Sequence, residues 1–158
     1  MVDRRDVASW LEGPRARTPG PGEYPGQRLG LPQRGPGSIG RFGRRLVAVF
    51  VDWTICQLVA FLLFRVELGH GGPGSFIPLA IFAVENVLLV GTLGFTVGHR
   101  LVGLGVLSMT GRRASLAQVV IRTGLLCLAV PALIWDRDGR GLHDKAAGTL
   151  IIRTGEPA

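Results

Sequence analysis

The sequence predicts an all-α membrane protein: a helical hairpin of two full transmembrane spans, followed by a kinked third apolar segment that is either re-entrant or crossing. Three observations carry that reading. The hydrophobic residues, 47% of the chain, are gathered into a few blocks beyond Arg45. The first block, Leu46 to Phe64, holds no charge except Asp52, and its length approaches the roughly 20 residues a helix needs to cross a bilayer core. The basic residues, all Arg except Lys145, flank these blocks. A net charge of +7 in that arrangement points to orientation and to anionic lipid, not to nucleic acid.

Residues 1–40 read as a disordered, basic, Pro/Gly-rich tail, because half of the stretch from Gly13 to Gly40 is Gly or Pro and cannot build a packed core. Within the tail, residues 3–12 can form a short helix with Val7, Trp10 and Leu11 on one face. No cleavable signal pattern opens the chain, so the first span is expected to act as an uncleaved insertion signal. Residues 41–153 form the membrane domain, with spans at about 45–64, 76–97 and 119–135, and residues 154–158 are a C-terminal tail. Pro78 falls in the first turn of the second span, where proline is tolerated. The third segment is interrupted by Arg122 and contains Pro131; from Thr123 to Trp135 it is short for a full crossing. If it returns, the basic segments 1–45, 98–118 and 136–153 share the cytoplasmic side and only the loop near Arg65 lies outside.

An ionisable side chain at membrane depth costs roughly 2.5–3.5 kcal/mol on insertion scales, so it needs protein or water as a partner. Arg45 and Asp52 lie two helical turns apart, about 10 Å of rise, too far for a direct pair. With the first two helices antiparallel and their inner ends at Arg45 and Val97, Asp52 lies about level with Thr92 and Gly91, and Gln57 about level with Glu85, within reach of Glu85 or Asn86. The expected polar seam is therefore Asp52, Gln57, Glu85, Asn86 and Thr92, with Arg122 as the cation for Asp52. Such a seam serves equally as an ion path or as a lock between helices. Asp144 in the tail is the better partner for Arg45.

Other chemistries are poorly served. Cys56 and Cys127 both lie in apolar segments and read as small hydrophobes. The glycines of residues 98–105 lack the Lys and Ser/Thr of a phosphate loop, and residues 136–147 lack the Gly and Glu positions of a calcium loop. His143 beside Asp144 has no Ser or Cys nucleophile with it in sequence. No metal, cofactor or catalytic residue is expected.

Arg45, Asp52 and Asp144 in GLHDKAAGTLII resemble the Arg-Asp-Asp triplet of the RDD family of small bacterial integral membrane proteins. GFTVGHRLVGLGV, Gly94 to Val106, resembles that family's T-x-G-K-R-x-x-G-x-x-V stretch, departing at Val97 (commonly Pro) and His99 (commonly Lys). The resemblance covers roughly residues 38–153. It implies a protein of the bacterial inner membrane with a role in ion or small-solute transport, including cation/proton exchange. The charge pattern puts the N-terminus in the cytoplasm, and because two or three helices cannot enclose a path, transport calls for a homo-oligomer or a larger membrane complex. The competing expectation is a scaffold or accessory subunit that recruits a partner or anionic lipid through its basic tail.

Overall fold

The computed structural model describes residues 23–66, 73–128 and 139–155. It is mostly helical. Helix α1 (Phe42–Phe64) is the longest element. At 23 residues it extends about 35 Å, enough to cross a hydrocarbon core of about 30 Å. A 3₁₀ turn (Pro73–Phe76) leads into α2 (Ile77–Leu93), then α3 (Val97–Leu101), strand β1 (Leu104–Ser108), α4 (Leu116–Cys127), α5 (Leu142–Ala147) and strand β2 (Thr149–Arg153). Among the described residues α1 alone is both long and apolar enough to cross a membrane.

One narrow stripe of α1 is buried: Arg45, Ala48, Asp52, Cys56 and Ala60, spaced by three and four residues. Small side chains there let neighbouring backbone come close. The rest of the helix is apolar and outward-facing, with Phe50, Leu58, Leu62 and Leu63 exposed. Helix α2 repeats the pattern, burying Pro78, Phe82, Asn86 and Val90. It packs against α1 on one side and α4 on the other, and α3 closes back onto α1.

The expected second span ends early. Gly94 adopts φ 84° and its N–H donates to the carbonyls of Leu89 and Val90, a left-handed helix stop that glycine adopts without Cβ strain. Thr96 then caps a new helix by accepting from His99 N–H. Of the third segment, the part up to Leu128 lies among the described residues. Helix α4 starts on a capping box, in which Ser115 Oγ accepts from Gln118 N–H while Gln118 Oε1 accepts from Ser115 N–H. It is 12 residues long, about 18 Å, too short to cross by itself. The remainder of that segment, with Pro131, lies outside the described residues, as do the candidate helix at 3–12 and residues 1–22 generally.

Two features depart from an all-α fold with an unstructured leader. Strands β1 and β2 pair antiparallel, from Leu104 opposite Arg153 to Ser108 opposite Thr149. Residues 37–40, expected to be disordered, lie along the free edge of β2. Gly37 N–H donates to Arg153 O (2.7 Å), Arg153 N–H to Ser38 O (2.8 Å) and Gly40 N–H to Ile151 O (2.8 Å), with Ile39 bridged to Ile152. Backbone pairing orders this Gly-containing stretch, together with burial of Ser38 and Ile39. Val90, Leu104, Val106, Ala114, Val119 and Ile151 form the buried core between this layer and the helices.

Candidate polar site at the Arg45 end of the helices

The buried stripe of α1 carries one charged group at each of two levels. At the first, Arg45 Nε donates to Gly40 O (2.9 Å), Nη2 to Ile151 O (3.4 Å), and Nη1 lies 3.4 Å from Asp144 Oδ2. Arg45 thus ties the entrance of α1 to the sheet layer and to α5. Asp144, wholly buried, also receives Arg122 Nε from α4 at 2.8 Å and the Thr149 hydroxyl at 3.1 Å on Oδ1, and His143 Nε2 lies 3.4 Å from Oδ2. Burial alone would raise the Asp144 pKa. The charges of Arg122, His143 and Arg45, with the Arg122 hydrogen bond, outweigh it and hold the carboxyl well below the usual carboxylate range.

At the second level, Asp52 accepts from the Thr96 hydroxyl on Oδ2 (2.5 Å) and from Gly98 N–H on Oδ1 (2.6 Å). Thr96 Oγ1 lies 2.6 Å from His99 Nδ1 and accepts from His99 N–H at 3.2 Å. With the one hydroxyl proton of Thr96 donated to Asp52 Oδ2, His99 presents Nδ1–H to Thr96. That leaves Nε2 as the ring's second proton site. His99 is fully enclosed and its pKa is pushed down to about 3, first by burial, then by Arg122, with Arg45 and His143 adding and Asp144 opposing. The ring is therefore neutral at pH 7.

The candidate residues distribute over this site in part. Arg45 and Asp144 come together. Arg122 makes its direct ion pair with Asp144, and among the described residues it makes none with Asp52. Asp52 meets Thr96 and Gly98, not Thr92, because α2 stops at Gly94 and the chain doubles back one turn below the expected contact. Thr92 is exposed, its hydroxyl bonded to Leu88 O (2.6 Å) in its own helix. Asn86 donates to Phe82 O (3.1 Å), also in its own helix. Glu85 accepts from the Cys56 thiol (3.1 Å), and among the described residues no hydrogen bond joins Gln57 to Glu85 or Asn86. Cys56, read as a small hydrophobe, is thus a polar contact as well. The missed residues are Thr96, Gly98, His99, His143 and Thr149. A Thr two residues ahead of Gly-His-Arg is a helix N-cap pattern, which signalled a chain break near Thr96.

Beside the cluster lies a cavity of about 390 Å³. Arg45, His99, Arg122 and His143 line its polar part and Val49, Trp53 and Phe82 are among its apolar walls. No group of His, Cys, Asp or Glu suited to a metal ion occurs among the described residues.

Comparison with curated proteins and with solved structures returns no match. The model of the RDD family matches residues 39–148, the stretch from the sheet edge before α1 through α5 that holds both levels of the site. With Arg45, Asp52 and Asp144 all inside the match, and an apolar helix suited to a membrane at its start, the chain belongs to the RDD family.

Proposed function

We propose that this protein is a proton-coupled transporter of an ion or small solute in the bacterial inner membrane, working as a homo-oligomer with its N-terminus in the cytoplasm. The carrying observation is the unbroken hydrogen-bond chain Asp52–Thr96–His99, which leads from the middle of α1 to the cavity wall. A proton reaching His99 Nε2 releases the Nδ1 proton to Thr96, and Thr96 passes its own proton to Asp52. Asp52 ends as a neutral acid, the hydroxyl is restored with its proton turned toward Nδ1, and the ring has changed tautomer. Imidazolium is disfavoured here, so the ring passes a proton and does not store one. Ionisable Asp and His groups linked at membrane depth mark proton relays in pumps and transporters. Self-association is part of the reading, because two or three helices do not enclose a path.

The test is proton flux into proteoliposomes, read with an entrapped pH dye. Thr96→Val keeps the side-chain shape and removes the relay hydroxyl; flux is expected to fall roughly 10-fold or more. Asp52→Asn should do the same. Wild-type flux in Thr96→Val would remove the relay from the mechanism.

A further inference from the structure

The cavity between α1, α2 and α4 is a mixed site. Its polar lining is cationic or imidazole, namely Arg45, His99, Arg122 and His143, and among the described residues no carboxylate lines it. Asp144 lies behind Arg45 and Arg122, and Asp52 has both oxygens taken by Thr96 and Gly98. Arg122 is 1% exposed, and although Nε is bonded to Asp144, its Nη1 has no hydrogen-bond partner among the described residues. A buried guanidinium N–H left unpaired is costly, more so than a neutral donor. The apolar walls, Val49 and Trp53 of α1 with Phe82 of α2, lie on the helices whose outer faces are suited to lipid.

From these features we infer that the cavity binds a single-chain lipid anion, its carboxylate or phosphate on Arg122 and Arg45 and its acyl chain against Val49, Trp53 and Phe82. Guanidinium groups favour planar oxyanions by forked hydrogen bonds, and a pocket of this size with an apolar body and a few convergent donors suits an amphiphile. Among the described residues a cation would meet two guanidinium groups and no lining carboxylate. The inference uses the membrane placement proposed above and deepens that reading by naming the class of solute; it does not depend on the Thr96 relay.

The probe is dodecanoate, added to the full chain in phosphatidylcholine nanodiscs while thermal unfolding is followed. A ligand that binds the folded state raises Tm with concentration; a saturable rise of about 3 °C or more is expected. Dodecanol and dodecyltrimethylammonium, which share the chain and lack the anion, should give no such rise, and neither should butyrate, which lacks the chain. Val49→Phe fills the apolar part without touching the arginines and should abolish the dodecanoate shift. An equal shift in Val49→Phe, or from dodecanol, would overturn the site; an equal shift from butyrate would make it a plain anion site and overturn the lipid assignment. Thr96→Val separates the two proposals, since it should lose proton flux and keep the dodecanoate shift.

Discussion

At the scale of single residues, Asp144 carries the most. Its carboxylate is the common acceptor for Arg45 of α1, Arg122 of α4 and Thr149 of β2, so one buried charge joins three elements. Removing one partner of a buried ion pair leaves the other uncompensated and costs about 3–5 kcal/mol. Asp144→Asn is expected to lose about that much at pH 7, measured by thermal unfolding in detergent. The sign with pH follows from its depressed pKa. The unfolded carboxyl takes up a proton near pH 4 while the folded one resists, so the contribution is present above about pH 4 and is lost as pH falls toward the folded value. The variant should lack that part of the acid loss. Wild-type melting of Asp144→Asn at pH 7 would show that the cluster does not hold the elements together.

At the scale of elements, the contact of α3 with α1 decides the geometry of the relay. A Cβ on Gly98 would come within 2.9 Å of the Asp52 carboxyl carbon and closer still to Ala48 O. Gly98→Ala therefore pushes α3 away from α1. The expected cost is about 1–3 kcal/mol, with proton flux reduced because the Asp52–Thr96 bond opens. Gly43→Ala is the matched control: its Cβ meets nothing within 4 Å in α1 and should leave stability unchanged or slightly raised. Equal melting of the two variants would argue against close α3–α1 docking. This contact also marks where reading the chain from its residues stops. Arg45, Asp144 and α1 itself were legible, because charge placement and length are local signals. The partner of Asp52 was not, because reckoning depth along one continuous helix from 76 to 97 puts Thr92 opposite it. A single left-handed Gly94 moves Thr96, Gly98 and His99 into that place. Thr149–Ile152 is readable as a short extended segment, but its partner β1 was hidden for another reason: five residues long and buried on most positions, it lacks the alternation that marks a half-exposed strand. Gly37 to Gly40 pairs through its backbone, which composition does not register.

At the scale of the whole molecule, the sheet layer bears on topology. Residues 37–40 pair with residues 151–153, and β2 pairs with β1, so the entrance to α1, the segment after the α1–α2 hairpin and the C-terminal strand all lie in one layer. Hydrogen-bonded backbones cannot sit on opposite faces of a bilayer. If α1 and α2 are the spans, the chain between β1 and β2 makes no net crossing, which agrees with the excess of Arg on the segments flanking it. Single cysteines at two exposed positions test this: Arg41→Cys just before α1 and Thr154→Cys just after β2, each in a background with Cys56 and Cys127 replaced by Ala. If the cytoplasmic placement proposed above holds, both sites resist an impermeant maleimide added to intact cells and react once the membrane is permeabilised. Labelling of Thr154→Cys alone from outside would mean that the chain crosses a third time, and the pairing of residues 37–40 with β2 could not exist in the membrane.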